Sequence, residues 1–121
     1  MYQILVVDDS PGDLHTLGKL LTTAGYQTIT ASDGRKAISL FGEKHPDLVL
    51  LDLIMPEMDG IATLRAIKEI DPSSKAVMCT ASGLEPVVQL AMLSGASGFV
   101  TKPFEEDTIL RTIRKVLGEE G

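Results

Sequence analysis

The stretch from Leu48 to Pro56 constrains the fold more than any other. Leu48-Val49-Leu50-Leu51 runs without a polar interruption into Asp52, and Leu53-Ile54-Met55-Pro56 follows. Neither helical spacing nor strict alternation organises the run, and Pro46 and Pro56 bracket it. A short apolar run of this kind reads as a strand buried on both faces, as in a parallel sheet. The prolines oppose a long helix through it. Asp52 then stands at the carboxyl end of a central strand, where ligands bind in open parallel sheets. A lone Asp in that place could simply cap a helix or close the strand. The rest of the chain decides against that.

The same unit recurs along the chain. Gln3-Ile4-Leu5-Val6-Val7 reads as a first strand ending in Asp8-Asp9-Ser10. Pro11 suits the first position of a helix that Asp9 or Ser10 can cap. Leu14, Leu17, Leu20 and Leu21 then recur at helical spacing up to Ala24-Gly25. Tyr26 to Ala31 is a more polar strand, expected near the sheet edge, and Asp33-Gly34 reads as a turn. Ala37, Ile38, Leu40 and Phe41 mark a second helix that stops at His45-Pro46. After the central strand, Asp59 can cap a third helix carrying Ile61, Leu64, Ile67 and Ile70. A fourth strand is expected over Lys75 to Thr80, then a small Ala81-Ser82-Gly83 loop and a helix opened by Pro86. A fifth strand, Phe99-Val100-Thr101, leads to Lys102-Pro103-Phe104 and a last helix from Glu105 to Gly118. Strand–helix alternation with short connections implies an α/β fold, a parallel sheet with helices on both faces.

Composition bounds the function. A chain of 121 residues, 44% hydrophobic, is expected to be one domain, 1–121, that folds without staples. Aromatics are only 4% and the net charge is −6, with no run of Lys or Arg. Binding of nucleic acid by this segment is therefore not expected. The single cysteine, Cys79, allows no internal disulfide and no multi-cysteine metal site. Met1 leads straight into a strand, and no apolar stretch approaches the roughly 20 residues that span a bilayer. A soluble, cytoplasmic protein with no membrane partner is the expectation, and the lack of a linker favours a stand-alone chain.

The polar residues at the strand ends form the candidate site. They are Asp8 and Asp9, then Asp52, then Thr80, then Lys102 after the fifth strand. Three carboxylates gathered at one edge repel each other and need a cation. With His15 and His45 elsewhere in the chain, the ligands are all oxygen, which suits Mg²⁺. Lys102 and the Thr80 hydroxyl can meet an anion at the same place. An acid, a divalent cation, a lysine and a hydroxyl are the parts that phosphoryl transfer uses.

These residues resemble a known family. Ile4-Leu5-Val6-Val7-Asp8-Asp9-Ser10, Leu50 through Gly60, Thr80-Ala81 and Gly95 through Phe104 together look like a response-regulator receiver domain, and among these the chain is similar to the stand-alone CheY-type regulators. The likeness runs over essentially the whole chain. It implies the flavodoxin-like doubly wound fold, five parallel strands in the order 2-1-3-4-5 with five helices, an order for which CheY is itself a standard example. It implies that Asp52 accepts a phosphoryl group from a histidine kinase. Asp9 would ligate Mg²⁺ directly, Asp8 mostly through water, and the Ile54 carbonyl would complete the set with Asp52. Lys102 would contact the phosphoryl group, and its bond to Pro103 would be cis. Thr80 and Phe99 would be the switch residues, and Ala81 leaves room for the donor. The protein would catalyse only its own phosphotransfer and dephosphorylation, and so would not be an enzyme in the ordinary sense.

Some positions depart from that pattern. Phe99 stands where flagellar regulators usually carry Tyr, and Ile54 and Ser82 are not the amide and acid that often help water attack the acyl phosphate. A long-lived phosphorylated form is expected. The fourth helix carries Leu84, Val87, Val88, Leu90, Ala91, Met92 and Leu93. Val88 and Met92 are expected to stay exposed beside Phe99 as part of a docking face, formed by the fourth helix, fifth strand and fifth helix, for an output protein. Other functions fit less well. A haloacid-dehalogenase-type phosphatase needs a second Asp where Ile54 stands, and a flavodoxin-like redox module needs a Ser/Thr/Gly-rich loop where Asp8-Asp9-Ser10-Pro11 stands. A receiver trimmed from a larger regulator and a phosphorylation-independent binding module are the remaining alternatives.

Overall fold

A computed structural model of the chain describes residues 1–55, 59–81 and 85–118. Expectations placed on Pro56, Glu57, Met58, Ser82, Gly83 and Leu84 lie outside the described residues. Strands and helices alternate: β1 (Gln3–Val7), α1 (Pro11–Thr23), β2 (Gln27–Ala31), α2 (Gly34–Lys44), β3 (Leu48–Asp52), α3 (Gly60–Ile70), β4 (Ala76–Ala81), α4 (Glu85–Leu93), β5 (Gly98–Lys102) and α5 (Glu106–Leu117). The sheet has five strands in the order β2-β1-β3-β4-β5, and every pair is parallel. This is the doubly wound, flavodoxin-like arrangement expected above.

Because successive side chains of a strand point to opposite faces, each inner strand supplies two cores. Leu5, Val7, Val49, Leu51, Ala76 and Met78 pack toward α2, α3 and α4, where they meet Phe41, Leu64, Ile67 and Ala91. Ile4, Val6, Leu48, Leu50, Val77 and Cys79 pack toward α1 and α5, meeting Leu17, Leu21, Ile109 and Ile113. Each buried Val, Leu, Ile, Phe or Met among them contributes on the order of 1.5–3 kcal/mol by leaving water, which is why β1 and β3 read as unbroken apolar runs. Edge strand β2 has water to one side and carries Gln27, Thr28 and Thr30.

Side-chain caps fix where the helices start, and hence where the strand ends open. Ser10 caps α1, its Oγ accepting from the Asp13 N–H at 3.2 Å, and Pro11 occupies the first helical position. Asp33 caps α2 by accepting from the Lys36 N–H at 2.8 Å. The Asp33-Gly34 pair expected to form a turn is therefore a helix start, since a capping Asp and a turn Asp look alike in sequence. Asp59 caps α3 in the same way, accepting from the Ala62 N–H at 2.8 Å. Helix α1 ends in a Schellman motif: the Tyr26 N–H donates to the Leu21 carbonyl and the Gly25 N–H to the Thr22 carbonyl. Gly25 sits there at φ 100°, a conformation glycine adopts without strain. Among the described residues, no helix is long and apolar enough to cross a membrane.

Candidate phosphoacceptor site

The carboxyl ends of β1 and β3 lie side by side, with Val7 paired to Leu51. The residues just beyond them are therefore neighbours. Asp8, Asp9 and Asp52 each offer an oxygen, and these oxygens lie within 4.8 Å of one another. Asp8 and Asp52 are buried, at 1% and 6% exposure, and Asp9 faces solvent. The donor set is all oxygen and three-sided, with one member open to water. It fits a hard divalent cation that keeps some of its waters, as Mg²⁺ does.

Local bonds hold the carboxylates in place. Asp8 Oδ1 accepts from the Ser10 N–H at 2.9 Å, and Asp52 Oδ1 accepts from the Ile54 N–H at 3.4 Å. Behind Asp52 the start of α3 presses on the strand: a Cβ on Gly60 would come 2.3 Å from the Asp52 carbonyl oxygen. The Gly60 N–H donates to the Leu53 carbonyl at 2.9 Å, so glycine lets the helix close directly on the segment that carries Asp52.

Lys102 reaches in from the end of β5. Its Nζ is 3.0 Å from Asp8 Oδ2, 3.1 Å from Asp13 Oδ2 and 3.6 Å from Asp52 Oδ2. It also stands 5.7 Å from the centroid of the Phe104 ring. Hydrogen bonds to Asp8 and Asp13 and the charge of Asp52 raise its pKa, outweighing the opposing effect of burial. Burial, then the charge of Asp8, push Asp52 up from 3.8 to about 6, against the lowering effect of Lys102. Cys79, paired in register with Asp52 on β4, is buried, and desolvation pushes its thiol far up. The Lys102–Pro103 peptide bond is cis.

The sequence placed Asp8, Asp9, Asp52 and Lys102 together, and the structure brings them together. The Ile54 backbone joins them through its N–H, while its side chain is 60% exposed. Thr80 is buried at the end of β4, but its hydroxyl donates to the Ala81 carbonyl at 3.1 Å rather than to a site carboxylate. Phe99 is 47% exposed and lines, with Thr80, Val88, Met92 and Leu93, an apolar groove of about 540 Å³ between α4 and β5. One expectation fails here. Val88 packs in the core with Ala91, and the outward residues of α4 are Leu90, Met92 and Leu93. The helix is apolar on most sides, so its spacing could not show which face the sheet takes. Sequence reasoning also missed Asp13 and Phe104. Asp13 had a signal, the Ser10-x-x-Asp13 pattern of a capped helix start. Its partner is Lys102, far along the chain, and only the fold joins the two.

A parallel sheet with an acidic pocket and a lysine at its carboxyl edge holds the parts that phosphoryl transfer uses. The sequence model of the response regulator receiver domain matches residues 4–114, and the chain belongs to that family, the two-component response regulators. It is 38% identical over 117 residues to the chemotaxis protein CheY of Bacillus subtilis, covering 96% of this chain and 98% of that one. The receiver domain of NtrX from Brucella abortus superposes with a TM-score of 0.92 at 31% identity, over 97% of this chain and 99% of that one. A chain of the CheX–CheY–BeF3–Mg²⁺ complex of Borrelia burgdorferi matches with a TM-score of 0.91 at 34% identity, over 95% of this chain and 88% of that one.

Proposed function

We propose that this chain acts as one receiver unit, residues 1–121, whose Asp52 accepts a phosphoryl group from the phosphohistidine of a histidine kinase. The observation that carries the reading is the convergence of Asp8, Asp9 and Asp52 with the Lys102 ammonium at one sheet edge. An Asp52 carboxylate oxygen attacks phosphorus, the phosphorus–nitrogen bond breaks, and its electron pair leaves on the imidazole. Asp8, Asp9, Asp52 and the Ile54 carbonyl would hold Mg²⁺, which when bound offsets charge on the phosphoryl oxygens. Lys102 supplies the second positive charge. The protein promotes only its own phosphorylation and dephosphorylation. The likeness to CheY of Bacillus subtilis, a chemotaxis protein, supports a place in chemotaxis signalling in the cytoplasm.

The signal leaves through the α4–β5–α5 surface. Thr80 lines the groove and also stands next to the last residue of β4, at the acceptor edge. A phosphoryl oxygen that draws the Thr80 hydroxyl from the Ala81 carbonyl frees space into which Phe99 turns. That shift favours one groove shape over the other, and the exposed Met92 and Leu93 present it to an output protein. The Ile54 side chain beside Asp52 has no polar group to orient water, which supports a slowly hydrolysed acyl phosphate.

Intact mass after incubation with Mg²⁺ and phosphoramidate tests the reading. One phosphoryl adduct is expected on wild type, absent in Asp52→Asn and absent in chelator. An adduct that persists in Asp52→Asn refutes Asp52 as acceptor. An Ile54→Asn, Ser82→Glu variant is expected to lose its adduct faster than wild type.

A further inference from the structure

Lys102 has an acceptor that the phosphoacceptor reading does not use. Its ammonium donates to Asp8 Oδ2 at 3.0 Å and, at nearly the same distance of 3.1 Å, to Asp13 Oδ2. Asp52 is farther, at 3.6 Å. Asp13 belongs to no strand end; it sits in the first turn of α1. In a Ser-x-x-Asp helix start the acid ordinarily reaches back to the N–H of the capping residue. Here the Ser10 N–H donates to Asp8 Oδ1 instead, and the Asp13 carboxylate reaches Lys102.

We propose that Asp13 is a positioning residue that competes with the phosphoryl group for Lys102, setting how readily Asp52 is phosphorylated. This rests on the acceptor reading of Asp52 above. Asp13 is not one of the three carboxylates that cluster for a cation. It can therefore keep Lys102 whatever Asp8 binds. Two of the three ammonium N–H groups serve Asp8 and Asp13, so a phosphoryl oxygen on Asp52 draws the ammonium toward itself against the pull of Asp13. The Asp13 side chain is 35% exposed, so the pair is screened and yields without a large barrier. A partly exposed ion pair of this type is worth about a three- to fivefold change in an equilibrium.

Asp13→Asn removes the charge and keeps the backbone N–H that Ser10 Oγ accepts, so the cap survives; Asp13→Glu keeps the charge. Three readouts on the full chain test the proposal. In metal-free protein with ¹⁵N-labelled lysine, the Lys102 ammonium protons exchange faster in Asp13→Asn than in wild type or Asp13→Glu. With Mg²⁺ and phosphoramidate, the second-order rate of adduct formation at Asp52 rises about three- to fivefold in Asp13→Asn and returns toward wild type in Asp13→Glu. Beryllofluoride, a phosphoryl mimic, binds tighter by the same factor. An adduct on Asp52 whose rate and beryllofluoride affinity are equal in wild type and Asp13→Asn overturns the competition and leaves the acceptor reading standing. Mg²⁺ affinity that drops about tenfold in Asp13→Asn makes Asp13 a ligand and also overturns it. Wild type that takes no adduct, or keeps one in Asp52→Asn, overturns both.

Discussion

Removing the charge of Asp52 should stabilise the metal-free protein. Asp52 is buried beside Asp8, and its carboxyl is pushed from 3.8 to about 6. A carboxyl that holds its proton more tightly folded than unfolded opposes folding once it ionises. The native state therefore keeps this group's full contribution below pH 3.8 and loses it as pH rises through about 6. At about 1.4 kcal/mol per unit, the shift corresponds to about 3 kcal/mol. Water at the mouth of the pocket reduces this to about 1–2 kcal/mol. Asp52→Asn keeps the shape and the acceptor for the Ile54 N–H, so it isolates the charge. Urea unfolding in chelator is expected to show the variant more stable by about 1–2 kcal/mol at pH 8, with roughly half of that gain left at pH 5. Added Mg²⁺ should raise the wild-type midpoint more than that of the variant. A variant less stable than wild type at pH 8, or a gain that stays constant down to pH 4, would refute the reasoning.

Other perturbations test the rest of the site. Lys102→Met leaves the buried Asp8 without its cation, and a loss of about 2–4 kcal/mol in metal-free denaturant unfolding is expected, partly recovered on adding Mg²⁺. Gly60→Ala forces a Cβ against the Asp52 carbonyl oxygen, which is backbone and cannot yield, so a loss of about 3 kcal/mol and slower adduct formation are expected. Asp59→Ala removes the α3 cap and should cost about 1 kcal/mol by thermal unfolding, whereas Asp59→Asn should cost far less.

Most of the fold was legible because each inner strand is buried on both faces and so shows as an unbroken apolar run. Ile4 to Val7 and Leu48 to Leu51 announce themselves in this way, and the polar Thr28 and Thr30 place β2 at the edge. The site carboxylates were legible for a related reason: a charged residue directly after such a run has to lie at a strand end. Asp13 gives no such sign, since a helix-start acid ordinarily serves its own helix, and its contact with Lys102 exists only once β1 and β5 share a sheet. The α4 face failed for the opposite reason. With Val87, Val88, Leu90, Ala91, Met92 and Leu93 spread around one helix, hydrophobicity alone cannot choose the buried side, and packing puts Val88 and Ala91 there.

The position of Cys79 makes the chain its own reporter. The only thiol in the sequence lies next to Asp52 in the sheet, sealed from water and held protonated. A thiol reagent reaches it once α1 or α5 lifts from that face of the sheet, so the labelling rate of the native protein is a clock on that opening. A cysteine placed on the outer side of α4, at Met92 for instance, would react on its own far faster timescale. One unmodified background thus serves both a buried probe of the core and a surface probe of the groove.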